Sequence, residues 1–353
     1  MREGMSEECG ENACAWRKLA EVDAVLARLA HRRFGTLVLV LLAVWTGLAA
    51  AVPPGCLPAA DSGRPADSVV AGRLVSPPFS DLYGIPAEKE LPGELVIYFL
   101  DTGQSDAAYV RTPGGKVLVV DAGDIDNPGK VVGFLTSVKK VSKVDALVLT
   151  HPHADHIGDA LAILQRLTVG QLWLSGFPHT TPDYEAVLAE AADLKEAGRL
   201  TVRLGRAGDN LDLGDDKVSL TFYHPVDPLG DDANEASLVL KITYGSFSVL
   251  FTGDVGASGE RAMLDRGGDL GATVLKVAHH GSAGSTGAAF LAAVDPEVAV
   301  IDVGADNPYG HPSPETLARL EAAGVAVFRT DRDGTIIVHS DGEAWGLVTR
   351  GGG

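Results

Sequence analysis

Thr150-His151-Pro152-His153-Ala154-Asp155-His156-Ile157-Gly158 is the stretch whose reading decides the fold of this chain. Ala146-Leu147-Val148-Leu149-Thr150 leads into it, a short apolar and partly β-branched run that reads as a buried strand. From Ile157 to Leu167 the apolar residues fall at helical spacing. The histidine cluster therefore sits on a strand-to-helix loop, where a rigid scaffold presents functional groups. His151 and His153 are two apart on an extended backbone, so both can face one cation through imidazole nitrogen. Asp155 and His156 follow at the turn, placed to serve a second cation a few ångströms away. Two such ions can clamp a scissile ester or phosphate between them.

Three further strand ends carry polar groups beside glycine. Asp121 closes Val117-Leu118-Val119-Val120 and precedes Ala122-Gly123. Asp254 follows Leu250-Phe251-Thr252-Gly253, and His279-His280 follow Leu275-Lys276-Val277-Ala278. Singly, an aspartate after a strand is most often a turn or cap residue. Jointly with the histidine cluster, Asp254 reads as a carboxylate bridging two ions and a histidine near 280 as the closing ligand.

Outward from these motifs, strands are expected at Leu95–Leu100, Ala107–Arg111, Val117–Asp121, Ala146–Thr150, Gln171–Ser175 and Leu200–Leu204, with helices at Lys130–Lys140 and Tyr184–Ala197. A second half repeats the pattern. Its strands are Val218–Tyr223, Ser237–Tyr244, Phe247–Thr252, Thr273–Ala278, Val298–Val303, Val325–Arg329 and Thr335–His339. Its helices lie near Ser258–Asp265, Thr286–Ala293 and Pro314–Ala323. Two sheets with helices outside predict a four-layer α/β/β/α sandwich with the site along one shared edge.

Residues 1–33 are polar, and 34–52 form an uncharged apolar run behind Arg28, His31, Arg32 and Arg33. That order fits a signal peptide or an uncleaved anchor, and places the rest outside the cytoplasm, secreted or membrane-held. Residues 53–93, rich in Pro, Gly, Ala, Ser and Asp, read as a linker; the domain is expected over 94–340, with 341–353 as a tail. The formal net charge is −18. Six acids and six bases cancel within residues 1–51, so the whole −18 belongs to the remainder. Such acidity opposes non-specific nucleic-acid binding. Cys9, Cys14 and Cys56 all precede the domain and form no zinc-finger or disulfide framework.

Taken together, Asp121-Ala-Gly, His151-x-His153-x-Asp155-His156, Gly253-Asp254 and His280-Gly281 resemble the metallo-β-lactamase superfamily. Within it, residues 94–340 look like the soluble C-terminal domain of the DNA-uptake competence protein ComEC. That likeness rests on Phe99-Leu100-Asp101-Thr102-Gly103-Gln104-Ser105-Asp106-Ala107, Asn234-Glu235-Ala236-Ser237-Leu238, Leu275 through Ser282, and Asn307-Pro308-Tyr309-Gly310-His311-Pro312. The resemblance implies two divalent ions, Zn or Mn. His151 and His153 would bind the first, Asp155 and His156 the second, and Asp254 both. His280, or else His279, would complete the second. Asp121 would brace the loop. Asp101, Asp106, Ser237 and Lys276 would line or support the site, Asp155 would orient the attacking water, and His311 would contact substrate or protonate a leaving group.

Asn234 stands where such enzymes usually place the last histidine of the first ion, which points to a weaker first site or an ion such as Mn. The expected activity is hydrolysis of phosphodiesters, DNA included, with Lys276, Arg329 and Arg332 as groove bases. A lactone, thioester or cell-wall fragment is the alternative substrate, and a surface-displayed binding module the alternative of another kind. No protein partner is evident.

Overall fold

A computed structural model of the chain describes residues 69–71 and 90–350. The expectations for 1–33 and 34–52, and for most of the 53–93 linker, lie outside the described residues. Among the described residues, no helix is long and apolar enough to cross a membrane.

The chain first lays down β1 (Val69–Ala71), β2 (Leu95–Phe99), β3 (Ala108–Arg111), β4 (Val117–Val120), β5 (Lys143–Leu149), β6 (Thr168–Leu174) and β7 (Thr201–Leu204). A second set follows: β8 (Val218–His224), β9 (Val239–Tyr244), β10 (Phe247–Phe251), β11 (Val274–Lys276), β12 (Val298–Ile301) and β13 (Ala326–Arg329). β14 (Ile336–Ser340) and β15 (Trp345–Thr349) then return to the first sheet. The result is a nine-stranded sheet in the order β1-β15-β14-β2-β3-β4-β5-β6-β7 and a six-stranded sheet in the order β13-β12-β11-β10-β9-β8.

Side-chain alternation explains why the sheets stack. Leu95, Ile97 and Phe99 of β2 face the second sheet, while Val96 and Tyr98 face the helices outside. Phe99 meets Phe251 of β10 across the interface with ring centroids 5.6 Å apart. Each such buried aromatic contributes roughly 1.5–3 kcal/mol through loss of apolar surface to water. Three apolar clusters result, one between the sheets and one under each outer helical layer, which makes the α/β/β/α sandwich.

The outer helices follow local rules. On the first sheet lie α1 (Lys130–Gly133), continued by a π-turn over Phe134–Val138, then α2 (Ala154–Ile157), α3 (Ala160–Arg166) and α4 (Pro182–Glu196). Pro182 opens α4 at a position where a missing N–H costs nothing. Its buried Tyr184, Val187, Leu188, Ala191 and Leu194 form a stripe at helical spacing. The second layer comprises α5 (Ala257–Arg266), α6 (Ala288–Val294) and α7 (Pro314–Ala322), with α8 (Thr330–Asp333) after β13. Ser313 caps α7 by accepting from the Thr316 amide at 3.1 Å.

Two segments differ from the sequence reading. Trp345–Thr349, expected within a tail, is a buried strand paired antiparallel with β14. Its Leu347 joins the inter-sheet cluster. Val69–Ala71, within the expected linker, pairs antiparallel with β15. Both are short runs beside glycine-rich or proline-rich sequence, so their strand character comes from the sheet edge that receives them.

β4 through β7 run parallel, as do β10 through β13. Asp121 follows β4, His151 follows β5, Asp254 follows β10, His279 and His280 follow β11, and Asp302 follows β12. The carboxyl ends of two parallel ladders thus meet at one edge, the place where α/β sheets bind ligands.

Candidate metal centre

Backbone contacts fix the histidine loop before any ligand is considered. Ala122 N donates to His156 O at 2.8 Å, Asp106 N to Asp155 O at 3.1 Å, and Gly158 N to Gly123 O at 2.7 Å. A Cβ on Gly158 would lie 2.3 Å from the Asp124 carbonyl carbon, so the loop and the Asp121 turn touch backbone to backbone. Asp121 accepts from the Thr150 amide at 2.7 Å and the Thr150 hydroxyl at 2.8 Å, and its Oδ2 lies 2.9 Å from His156 Nδ1. That last contact leaves His156 Nε2 facing the site, the bracing role read from the sequence.

Asp155, His156, Asp254 and His280 then converge. One ligand atom from each lies within 4.8 Å of all the others. His280 Nε2 is 3.1 Å from Asp155 Oδ2 and 3.8 Å from Asp254 Oδ2; His156 Nε2 is 3.4 Å from Asp254 Oδ1 and 3.8 Å from Asp155 Oδ2. Four ligands at ~2.0–2.2 Å from one tetrahedral ion are separated by roughly 3.3 Å, so one divalent ion fits the quartet. Two of the quartet's atoms, His156 Nε2 and Asp254 Oδ1, are buried without a hydrogen-bond partner. Unpaired polar atoms are costly to bury, and an ion at their midst would satisfy both.

The electrostatics ask for the same ion. Burial opposes a charged His156, but the carboxylates of Asp254, Asp121, Asp155 and Asp106 outweigh it and hold the imidazole well above its usual range. His280 is likewise pushed up to about 9: burial opposes the charge, and Asp254 and Asp106 overcome it. Asp254 and Asp155 sit below the carboxylate range despite burial, chiefly because of His156. With protons in place of metal, the quartet already gathers positive charge.

His280, not His279, closes the quartet. Both follow β11 with left-handed backbone, φ 52° and 50°. This pair of unusual conformations ends the strand earlier than expected and splays the two rings apart. His280 is buried against Asp155, and the half-exposed His279 reaches Asp254 Oδ2 at 3.8 Å. Gly253, with φ +51°, lets Asp254 turn into the site; a Cβ there would lie 2.9 Å from that of Thr150. Asp254 N donates to Ser237 Oγ at 3.1 Å, which gives Ser237 a positioning role.

His151 and His153 behave differently. His151 Nε2 and His153 Nδ1 are 3.0 Å apart. His151 Nε2 is 3.9 Å from Asp254 Oδ2, yet no third ligand joins the two histidines within 4.8 Å among the described residues. Asn234 Oδ1 is buried and unpartnered, while the Asn234 carbonyl accepts from Ser237 N at 2.9 Å. His224 is structural: its Nδ1 lies 3.0 Å from the Ser237 carbonyl.

Beneath the quartet Asp106, Asp121 and His156 form a second acid–histidine group. Its cation is a side chain: Lys276 Nζ donates to Asp106 Oδ2 at 2.5 Å. Lys276 is buried rather than set in a surface groove, and Arg329 is bound by Asp331 at 2.5 Å. Arg332 lies 3.9 Å from Asp333. Asp101 is exposed, and its backbone amide donates to Thr335 Oγ1 at 3.1 Å; its carboxylate makes no contact with the cluster among the described residues.

Three residues near the site escaped the sequence reading. His179 packs edge-on against His153 at 5.7 Å. The Asp302 backbone carbonyl accepts from His280 Nδ1 at 2.8 Å, and burial pushes the Asp302 carboxyl well up. Thr150, quoted only as the strand end, ties Asp121 to the loop. Only Thr150 lay within a legible motif. His311 sits 5.7 Å from His279, ring to ring, and burial together with His279 and His280 holds it below its usual range.

A family model for the metallo-beta-lactamase superfamily matches residues 100–304. The chain belongs to the metallo-β-lactamase superfamily. Among curated relatives, ComE operon protein 3 of Bacillus subtilis is 33% identical over 70% of this chain and 33% of its own length. Competence protein ComA of Neisseria gonorrhoeae is 30% identical over 69% of this chain and 32% of its own. A metal-dependent hydrolase of Cupriavidus necator is 39% identical over 29% of this chain and 33% of its own. The chain thus spans about a third of the length of these relatives. The superfamily membership, the ComEC-like relatives and the ligand quartet make this chain a metal-dependent hydrolase of that fold.

Proposed function

We propose that the chain hydrolyses phosphodiesters outside the cytoplasm, with nucleic acid as the leading substrate class and Zn or Mn as the ion. The observation that carries this reading is the braced quartet of Asp155, His156, Asp254 and His280, with its unpaired buried atoms and convergent carboxylates. The competence relatives favour a phosphodiester over other esters. The basic flank and apolar run at 28–52 support export or anchoring.

When bound, a divalent ion supplies Lewis acidity at a phosphoryl oxygen and offsets charge that develops there. The protein's part is to aim and hold. Asp254 presents one oxygen to His156 and the other towards His151, His279 and His280, so it can serve both ion positions. Asp155 has the most exposed side chain of the quartet, 31%, and faces the open side, where it can orient a water. His311 is held neutral, which suits a hydrogen-bonding contact with substrate rather than donation of a proton from an imidazolium. The pair His151–His153 is the position for a second ion, with Asp254 Oδ2, 3.9 Å from His151 Nε2, as its carboxylate.

One observation favours a small-molecule ester as the second reading. Lys276, Arg329 and Arg332 are engaged by carboxylates, and the chain is strongly acidic. The full chain, stripped of metal and reloaded with Zn or Mn, should cleave single-stranded DNA and bis-p-nitrophenyl phosphate, and Asp254→Ala should abolish both. Cleavage of the generic diester without DNA would shift the assignment to a small phosphodiester. Turnover of lactones or thioesters alone would replace it.

A further inference from the structure

Lys276, Arg329 and Arg332 are engaged by carboxylates, and a feature at the rim of the site offers another grip on substrate. Tyr309 and Val138 are the exposed large hydrophobic side chains among the described residues, and Tyr309 is 69% exposed. Its ring lies near-parallel to His311, 22° between planes and 5.9 Å between centroids. His311 meets His279 edge-on at 5.7 Å, and His279 Nε2 is 3.8 Å from Asp254 Oδ2. A ladder of three rings thus runs from the metal ligands to solvent.

The loop that carries Tyr309 is held rigidly. Asn307 Nδ2 donates to Gly304 O at 3.0 Å and to His311 O at 2.7 Å. Asn307 Oδ1 accepts from Tyr309 N at 3.2 Å and His311 N at 3.0 Å. On the other side, Gln104 Oε1 accepts from Gly304 N at 3.0 Å, which ties the loop to the first sheet. Four bonds to one asparagine fix the backbone that carries Tyr309, and the ring itself rests on His311. A fixed, exposed ring loses little entropy when a second ring stacks on it.

We propose that Tyr309, backed by His311, is a shelf on which the nucleobase beside the scissile phosphodiester stacks. This rests on the phosphodiesterase reading and adds to it the substrate class, a single-stranded or unpaired nucleotide. Every base has a π-face, so the shelf tolerates sequence, and stacking supplies affinity that a basic groove supplies elsewhere. Binding is therefore less dependent on salt than for a protein that neutralises many phosphates.

The test uses the full, Mn-loaded chain and a single-stranded phosphorothioate oligonucleotide carrying 2-aminopurine. Wild type and Tyr309→Phe should quench the probe and bind it with equal affinity. Tyr309→Ala should lose the quench and bind roughly 5- to 100-fold more weakly, the range of base–aromatic stacking, while keeping the wild-type metal content. An abasic oligonucleotide should bind wild type as weakly as the 2-aminopurine probe binds Tyr309→Ala. Equal quenching and affinity in Tyr309→Ala, or no binding by wild type, would overturn the shelf. Tyr309-dependent quenching with no phosphodiester hydrolysis would instead retain the shelf and remove the phosphodiesterase reading. Hydrolysis that is indifferent to Tyr309 would do the reverse.

Discussion

The two halves of the metal centre are built to different standards. Asp155, His156, Asp254 and His280 meet within 4.8 Å, each held from behind: Thr150 and Asp121 behind His156, Ser237 behind Asp254, Asp302 and Asp106 behind His280, and the Asp106 amide on the Asp155 carbonyl. His151 and His153 lie 3.0 Å apart with only Asp254 Oδ2, 3.9 Å from His151 Nε2, as a shared carboxylate; Thr150 Oγ1 stands 3.2 Å from His151 Nδ1, while His153 leans on the half-exposed ring of His179. The quartet draws its residues from three strand ends in both sheets, so the sandwich itself assembles it. The pair comes from one loop, and no third acidic or histidine ligand joins it within 4.8 Å among the described residues. Preorganisation therefore predicts unequal ions, one tight and one weak or conditional.

The largest effect should come from removing the cation beneath the quartet. Lys276→Met leaves the buried Asp106 carboxylate with only His280 and His156 near it, a loss of up to about 3–5 kcal/mol, read as a lower urea midpoint for the metal-free chain. Full retention of stability would mean that Lys276 braces nothing beneath the quartet. Next in size is the direct contrast between the two halves. Asp254→Ala removes a ligand from the quartet and should weaken the tight ion by more than ~100-fold, since losing even a supporting partner costs 10–100-fold. His153→Ala should leave the tight ion within a few-fold of wild type and lower total metal content. Metal titration with elemental analysis separates the two, and equal losses would erase the distinction between quartet and pair. Asp121→Asn keeps the shape of the brace but not its charge. It should weaken the tight ion by ~10–100-fold, while the weak ion is unmoved.

How legible this was depended on where each residue gets its partner. The histidine loop, Asp121, Asp254 and the His279-His280 pair were readable because each sits at a strand end marked by apolar β-branched runs and glycine. The sandwich was readable for the same reason, through strand runs repeated in two halves. Lys276 was misplaced because a lysine between Leu275 and Val277 shows its charge but not its depth, and only the fold reveals Asp106 beside it. Asp302 and His179 carried no local signal, because they reach the site from β12 and from the loop after β6. Trp345–Thr349 read as a tail because five residues between glycines become a strand only when β14 offers an edge. The choice between His279 and His280 was likewise undecidable from spacing. It turns on two consecutive left-handed residues that send one ring inward and the other towards Tyr309 and His311.

The smallest effect, and the sharpest on the comparison, is the response to pH. In the metal-free chain His280 is raised from 6.5 to about 9, and His156 is raised too. The folded state thus holds these protons more tightly than the unfolded state does. Their stabilisation is complete below pH 6.5 and is lost as pH rises through about 9. An ion entering the quartet must displace these protons, so its apparent affinity should rise by about tenfold per pH unit or more across that window. His151 is the opposite case: burial, reinforced by His156, holds it well below its usual range, so it is already neutral and has no proton to give up. Metal binding at the pair should therefore be flat with pH through His151. Calorimetry in buffers of different ionisation enthalpy counts the protons released on filling each site. One to two at the tight ion and none from His151 at the weak one would establish the two halves as physically distinct. Equal proton release at both would mean that the pair shares the charge environment of the quartet, and that the separation seen between them closes when metal binds.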